Sequence, residues 1–274
     1  MKIINVVNAL EQFAPLPLQE SYDNAGLQVG LTEAEVSGAL LCLDVTEAIV
    51  DEAVRKECNL IVSHHPLIFH KLRRICGEDY VQRTVMKALL NHITIVSMHT
   101  NMDEAEGGVN FKMAAKLGLK DLRFFGEKKQ VMLPATADGE AENRIVQGGE
   151  GVIGTFGQPL PAADLVLLLK ETFDVECVQA NELLRRPIHQ VAICGGAGAF
   201  LLPKALAEGA DAFITGEMHY HEYFGMEQQI QVCVIGHYQS EQYTNEIFKS
   251  IIAEKCPGVR CCLAETCTNP IIYL

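Results

Sequence analysis

The segment that decides the fold is Asn59-Leu60-Ile61-Val62-Ser63-His64-His65-Pro66, in which a short apolar run passes directly into two histidines. An apolar run of this length that ends in turn residues is typical of a buried strand in a parallel sheet. The same order recurs downstream, where His92-Ile93-Thr94-Ile95-Val96 leads to His99 and, four positions further, to Asp103. The sequence therefore predicts buried strands whose carboxyl ends carry metal-binding side chains.

The second half of the chain repeats this arrangement. Ala212-Phe213-Ile214-Thr215 ends in Gly216-Glu217, and Val232-Cys233-Val234-Ile235 ends in Gly236-His237, with Glu241 four positions beyond that histidine. Strand and helix patterns alternate in both halves, which predicts largely parallel sheets with right-handed crossovers. We therefore expect an α/β protein of two related lobes that arose by duplication, with a metal site in the cleft between them.

The domain prediction follows from a change of character in the middle of the chain. We expect an N-terminal α/β lobe over residues 1–125 and a C-terminal α/β lobe over residues 126–274. The segment 126–187 contains a polar run, 135–144, and the glycine-rich Gly148-Gly149-Glu150-Gly151 between short apolar stretches. Turn residues in this setting predict hairpins, so this segment should open the second lobe and cover an edge of its sheet.

Several helices are also predicted from local signals. Residues 4–13 show the spacing of an amphipathic helix, and Thr46 is placed to cap a helix that runs through Val54. We expect a further helix from His221 to Gln228, ahead of the last strand of the second repeat.

Composition limits the class of partner. The chain has 274 residues, 49% hydrophobic residues and a net charge of −13, which suits a globular protein and disfavours nucleic acid or an anionic membrane as the main partner. No apolar stretch is long enough to span a bilayer, and we expect no targeting segment. Ten cysteines then indicate reduced thiols in the cytoplasm, and the group Cys256, Cys261, Cys262 and Cys267 lacks the paired spacing of a structural zinc site.

The candidate metal ligands lie just after predicted strands, where open parallel sheets bind their ligands. They are His64, His65, Asp103, His237 and Glu241. Imidazole and carboxylate groups suit zinc, iron or manganese, and two such ions about 3.5–4 Å apart can activate a water molecule for hydrolysis. The competing interpretation is that these residues only cap helices and satisfy backbone groups at strand ends.

Other polar residues near the strand ends leave their roles open. Glu217 follows its strand directly and could act as a base or support a ligand histidine. His219 occupies the part of the repeat that matches His64 and His65, and it is kept as a further candidate. The turn Gly195-Gly196-Ala197-Gly198 either makes a tight strand-to-helix connection or offers backbone amides to a phosphate.

Five motifs carry a resemblance to a known family. They are residues 22–30 (Tyr-Asp-Asn-Ala-Gly-Leu-Gln-Val-Gly), 63–66 (Ser-His-His-Pro), 99–103 (His-Thr-Asn-Met-Asp), 215–217 (Thr-Gly-Glu) and 236–241 (Gly-His-Tyr-Gln-Ser-Glu). Over essentially its whole length, the chain resembles the dinuclear metal-centre hexameric family of proteins similar to NGG-interacting factor three. Members of this family are often named GTP cyclohydrolase type 2.

The resemblance implies a site and an assembly. It implies that His64, His65, Asp103, His237 and Glu241 bind two divalent ions, with His99 beside them and touching the site through water. It also implies a homohexamer, and Tyr238 stands where the family often has a second histidine, a change expected to tune the pocket without removing a metal.

The reaction stays open between alternatives. We expect a hydrolase that acts on a nucleotide-like or phosphorylated small molecule, as a GTP cyclohydrolase type 2 would, with Glu217 and His99 moving protons. The alternatives are a metal-binding regulatory, storage or chaperone protein without turnover, and a scaffold in which metals join the lobes.

Overall fold

The structure is a computed structural model that describes residues 1–133 and 143–272. In chain order the elements are α1 (Ile3–Phe13), β1 (Gly26–Val29), β2 (Ala39–Cys42), α2 (Glu47–Arg55), β3 (Leu60–Ser63), α3 (Tyr80–Leu90), β4 (Thr94–Ser97), α4 (Thr100–Glu104), α5 (Val109–Lys116), β5 (Lys120–Leu133), β6 (Arg144–Leu160), α6 (Ala162–Phe173), β7 (Gln179–Ala180), β8 (Ile188–Cys194), α7 (Leu202–Ala207), β9 (Ala212–Thr215), β10 (Gln231–Val234), α8 (His237–Glu241), α9 (Thr244–Lys255) and β11 (Cys261–Leu263). Short 3₁₀ turns cover Leu16–Leu18, Gly198–Leu201 and Tyr220–Tyr223.

The chain forms two compact units that are interleaved in sequence. Unit 1 comprises Met1–Ala105, the described residues of Val131–Val146, and Thr244–Ile272. Unit 2 comprises Glu106–Gln130 and Gln147–Tyr243. Each unit therefore takes residues from more than one stretch of the chain. The division into domains 1–125 and 126–274 stays a prediction.

Unit 1 contains a five-stranded sheet in the order β1-β4-β3-β2-β11. Strands β2, β3 and β4 are parallel, β11 is parallel to β2, and β1 is antiparallel to β4. All four residues of β2, of β3 and of β4 are buried, as expected for parallel strands covered on both faces. The carboxyl ends of β3 and β4 therefore lie side by side.

Unit 2 contains a six-stranded sheet in the order β5-β6-β8-β9-β10-β7. Strands β8, β9 and β10 are parallel, whereas β6 and β7 run antiparallel to β8 and β10. Apolar clusters cover both faces; one includes Leu165 and Leu169 of α6, and the other includes Phe213 of β9. Each unit thus has three central parallel strands with an antiparallel strand beside the third, which agrees with the predicted related lobes.

Most of the elements predicted from the sequence are present. The two largely parallel sheets confirm the α/β class, and Thr46 caps α2 by accepting a hydrogen bond from the Ile49 amide. Strands β5 and β6 are neighbours at one end of the second sheet, and β5 begins at Lys120. The hairpin-like segment 126–187 stays a prediction. The predicted polar run 135–144 lies, except at its last two residues, outside the described residues.

One predicted helix is wrong, and another helix was not predicted. Between His221 and Gln228 only the 3₁₀ turn Tyr220–Tyr223 forms, because Gly225 and Gln228 take positive φ angles that end a helix. Helix α6 appears in the segment predicted to contain hairpins. Within the described residues, no helix has the length and apolar character needed to cross a membrane.

Candidate metal centre

Three histidines meet at the end of the first sheet. His64 and His65 follow β3, and His99 follows β4, so neighbouring parallel strands bring the three side chains together. One possible ligand atom from each of the three lies within 4.8 Å of the other two. This is the spacing of side chains that share one metal ion, so His99 lies among the candidate ligands rather than at a distance from them.

His64 is held in one tautomer. Its ring is buried, and Nδ1 lies 2.9 Å from the carbonyl oxygen of Met98. Since a carbonyl oxygen can only accept, Nδ1 donates the proton and the lone pair of the neutral ring is on Nε2. Asp103, on the one-turn helix α4, places Oδ1 3.6 Å from that Nε2. A lone pair facing a carboxylate oxygen is a favourable donor set for a divalent cation.

His65 is oriented by a carboxylate. Its Nδ1 lies 2.7 Å from Oδ1 of Asp44, and Oδ2 of Asp44 accepts a hydrogen bond from the Thr268 hydroxyl. Burial acts to raise the pKa of Asp44, but the hydrogen bond and charge of His65 outweigh it and lower the pKa. A carboxylate on one ring nitrogen fixes the orientation of a metal-binding histidine and raises the basicity of the other nitrogen.

Asp23 orients the ring of His99, as Asp44 orients that of His65. Its Oδ1 lies 2.7 Å from His99 Nδ1, and its Oδ2 accepts hydrogen bonds from the amide and hydroxyl of Thr100. Burial opposes ionisation of Asp23, yet the interactions with His99 and Thr100 lower its pKa to about 2. Asp23 is therefore a carboxylate at neutral pH and keeps the proton of His99 on Nδ1.

Unit 2 carries a second candidate group built around His237. This residue opens α8, and its Nε2 lies 3.1 Å from Oε2 of Glu241, one helical turn later. Its Nδ1 lies 3.0 Å from Oε1 of Glu217, which follows β9. Because a carboxylate oxygen can only accept, a proton or a metal cation must lie between Nε2 and Glu241. The buried Glu241 and the histidine therefore fit a cation.

The glycine turn after β8 packs directly against this group. Gly196 has φ +56°, and a Cβ there would lie 2.3 Å from Oε1 of Glu241. The amide of Gly196 donates to the Ser240 hydroxyl, and the amides of Gly195 and Gly198 donate to Asn110 and Thr215. Side chains already accept hydrogen bonds from these amides. The turn therefore serves as a tight connection that packs against α8, which is the first of the two interpretations given from the sequence.

The remaining sequence candidates lie elsewhere. His219 is exposed, and among the described residues neither it nor any cysteine joins the groups that could bind a metal. The ten cysteines are free thiols. His221 instead packs its ring against Phe224 and Tyr220.

Two supporting residues were not predicted from the sequence. Asp44 comes two positions after β2, so the rule that placed ligands at strand ends could have found it. Asp23 lies in the loop before β1 and reaches His99 only through the tertiary fold. Its one sequence signal is its place within the motif of residues 22–30.

The chain is similar in sequence to named bacterial proteins. A protein of Clostridium perfringens named GTP cyclohydrolase 1 type 2 homolog is 32% identical over 244 residues, which cover 88% of this chain and 87% of the relative. A protein of Clostridium acetobutylicum with the same name is 30% identical over 243 residues, which cover 88% of this chain and 85% of the relative.

Solved structures show the same architecture. A hypothetical protein of Staphylococcus aureus superposes with a TM-score of 0.87 at 25% identity, covering 100% of this chain and 99% of that one. A Bacillus cereus protein related to NIF3 shares the fold with a TM-score of 0.84 at 22% identity, with the same coverage. The Duf34/NIF3 (NGG1p interacting factor 3) family matches residues 1–270, and the chain therefore belongs to this family.

Proposed function

We propose that this protein is a metal-dependent hydrolase that acts on a nucleotide-like or phosphorylated small molecule. The observation that carries the proposal is the way its histidines are held. His64 and His65 each use Nδ1 for a hydrogen bond within the protein, which directs Nε2 toward a ligand. Histidines that only cap strand ends do not require this arrangement, whereas metal ligands regularly show it.

The proposal includes a single dinuclear centre. Its predicted ligands are His64, His65, Asp103, His237 and Glu241. The support is chemical: five imidazole and carboxylate groups, with water completing the coordination, suit two zinc, iron or manganese ions. His99 adds an imidazole beside the ligands of unit 1.

The residues around the centre would orient groups and move protons. Two bound divalent ions would supply Lewis acidity to a substrate oxygen and lower the pKa of an attacking water molecule. The Glu217 side chain is 54% exposed, so its carboxylate can accept a proton from water and pass it to a leaving group. Asp23 holds the Nδ1 proton of His99, which leaves Nε2 as a proton acceptor.

The substrate proposal draws on the relatives. Two relatives are named GTP cyclohydrolase 1 type 2 homolog, which supports a nucleotide as substrate and hydrolytic opening of a purine ring as the reaction. The same centre could also cleave a phosphoester. A homohexamer and a cytoplasmic location stay predictions from the family resemblance and the composition.

The experiment is a turnover screen with the natively metallated protein. A panel of nucleotides and phosphoesters is tested with the wild type, Asp103→Ala and Glu241→Ala, with the exposed Glu176→Ala as a matched control. We expect turnover of at least one compound, a loss of roughly 10³-fold or more in both ligand variants, and full activity in the control.

Two results would count against the proposal. Turnover that survives in both ligand variants would exclude metal-dependent hydrolysis at this site. Tight metal binding with no turnover of any compound would favour the alternative, a metal-binding regulatory, storage or chaperone protein.

A further inference from the structure

Three consecutive side chains connect the loop before β1 to the histidine group of unit 1. The Tyr22 ring contacts the Phe69 ring, with centroids 6.4 Å apart. Asp23 holds His99, and the side-chain amide of Asn24 donates to the carbonyl oxygen of Ile68 at 2.7 Å. The loop that starts at His64 is thus joined to the Tyr22–Asn24 segment immediately beside the candidate ligands.

These contacts create an exposed aromatic surface next to His99. The Phe69 ring meets the His99 ring edge to face, at 6.2 Å and 84°. Tyr22 remains 64% exposed and Phe69 41% exposed. Folding gains little from aromatic faces left in water, whereas such faces can stack on a planar ligand ring with about 1–3 kcal/mol per base.

Gln28 joins the two loops that carry Tyr22 and Phe69 through hydrogen bonds. Its side-chain amide donates to the carbonyl oxygens of Asn24 and Gly26, and its Oε1 accepts from the Ile68 amide at 3.1 Å. Hydrogen bonds that fix both loops reduce the entropy lost when a ligand binds. Gln28 is therefore a positioning residue for Phe69.

The loop that follows Phe69 contains several cationic side chains, although the protein as a whole is acidic. The chain has a net charge of −13, yet it contains no Asp or Glu between Glu57 and Glu78. Within that interval Lys71, Arg73 and Arg74 lie exposed in one loop. Arg74 pairs at 3.6 Å with Glu78, an exposed contact of little energy. A local excess of positive charge of this kind complements an anionic ligand.

We infer that Tyr22 and Phe69 contact the planar ring of a phosphorylated heteroaromatic substrate, one face to face and the other through its edge, since their own planes lie 62° apart, and that Lys71 and Arg73 bind its phosphate groups. The inference rests on the proposed function and deepens it by assigning the residues that select a nucleotide. An aromatic surface alone would suit many ligands, but the neighbouring cations and His99 together restrict the class to compounds with a ring and a phosphate.

The test is equilibrium binding of two probes to the metal-loaded protein. Guanosine triphosphate carries both groups, and inorganic triphosphate lacks the ring. Phe69→Leu and Tyr22→Leu should raise the Kd for guanosine triphosphate about 10-fold and leave that for inorganic triphosphate unchanged. Lys71→Gln and Arg73→Gln should weaken both probes by similar factors, because they contact only phosphate.

Matched variants control for surface changes. Tyr80→Leu removes another exposed aromatic ring, and Lys249→Gln removes an exposed cation from α9. Both should bind the two probes as the wild type does. Metal content is measured for every variant, so that loss of metal is not mistaken for loss of a probe contact.

The outcomes separate this inference from the proposed function. Ring-dependent binding without turnover would support the recognition surface and count against hydrolysis. Turnover that is indifferent to Phe69→Leu and Tyr22→Leu would overturn the inference and leave the hydrolase intact. Failure of the wild type to bind guanosine triphosphate more tightly than inorganic triphosphate would also overturn it, as would self-association abolished by Phe69→Leu, which would assign the surface to a second copy.

Discussion

The two turns that carry the candidate ligands start from equivalent strands but hold their histidines differently. His99 precedes α4 and His237 opens α8, and each five-residue helix brings a carboxylate one turn later. In unit 1, the buried Asp23 fixes His99 through Nδ1. In unit 2, His237 has the exposed Glu217 at Nδ1 and the buried Glu241 at Nε2. The same scaffold thus supports a nitrogen-rich group in one unit and a carboxylate-rich group in the other.

The neighbouring strand ends explain the divergence. Ser63 ends β3 and Thr215 ends β9, so the following residues, His64 and Gly216, occupy equivalent positions. His219, which the sequence matched to this place, lies three residues further on. A Cβ on Gly216 would lie 2.7 Å from the Gly196 carbonyl oxygen and 2.9 Å from the His237 Cα. The tight packing of the glycine turn therefore leaves no room for a histidine at this position of unit 2.

The largest effect is expected when that packing is broken by Gly196→Ala. The new methyl group would displace the Glu241 carboxylate, so metal binding should be lost and the free energy of unfolding should fall by about 3 kcal/mol or more. Gly209→Ala is the matched control, because Gly209 also has a positive φ, +75°, but nothing within 4 Å of the added Cβ. The control should lose only about 1 kcal/mol and keep its metal. Urea unfolding and elemental analysis measure both, and equal metal loss in the two variants would refute the packing explanation.

The second prediction concerns Glu52, which binds the backbone of residues 265 and 266 within unit 1. The buried Glu52 accepts hydrogen bonds from Lys56 and from the amides of Glu265 and Thr266. Burial acts to raise its pKa, but these partners lower the pKa from 4.5 to about 2. Glu52 thus stabilises the fold above about pH 4.5, on the order of 3 kcal/mol, and this contribution is lost as the pH falls toward 2.

Glu52→Gln tests this dependence. The variant should be less stable at pH 7 and should lack the part of the decline between pH 4.5 and 2 that the wild type owes to this residue. Unfolding by urea is followed across that range in the presence of a chelator, so that metal release does not contribute. Parallel pH curves for the two proteins would contradict the assignment.

Smaller effects should distinguish the carboxylates that support the histidines. Asp44→Asn and Asp23→Asn should each weaken metal binding about 10–100-fold, because they remove the acceptor that orients a ring. Glu217→Gln should weaken it by less than about 3-fold, since solvent screens an exposed carboxylate. Competition with a chelator measures the three affinities. If all three variants lost metal affinity equally, the supporting carboxylates of the two units would not differ as proposed.

The smallest effect separates the helices that join the strands. In unit 1, Asp79 caps α3 by accepting from the Gln82 amide at 2.8 Å, whereas α7 of unit 2 begins without a side-chain cap. Asp79→Ala should therefore cost about 1 kcal/mol, and Leu201→Ala should act only through lost packing. Thermal unfolding with and without metal checks whether the loss is confined to stability. An Asp79→Ala protein as stable as the wild type would show that the cap contributes nothing.

Local signals were enough to predict the scaffold from the sequence. Short apolar runs predicted the central strands. The spacing of four between His237 and Glu241 marked them as candidate ligands, and α8 brings the two side chains together. Thr46 was found because a cap acts within its own turn. In α6, Leu165, Leu169 and Phe173 have helical spacing, so this helix was predictable, although the turn residues around it led to hairpins instead.

The parts that could not be predicted depend on distant contacts. Asp23 and His99 lie 76 positions apart in the chain, and no spacing rule connects the two residues. The aromatic contact between Tyr22 and Phe69 likewise appears only when two loops meet. The predicted helix from His221 failed because the chain leaves helical geometry at Phe224 and Gly225, and because Gln228, an ordinary helix former, takes a positive φ of 57°. Tertiary structure overrides local preference at such positions.

The number of bound metal ions and their affinities should be measured for the wild type, Asp103→Asn, Glu241→Gln and the double variant. If both ligand groups serve one dinuclear centre, the wild type should bind two ions per chain, and either substitution should weaken the binding of both. The double variant should then lose less than the sum of the single losses, because coupled ligands are not additive. If each single variant instead lost one ion and kept the other at wild-type affinity, the two groups would be independent sites and the account would be contradicted.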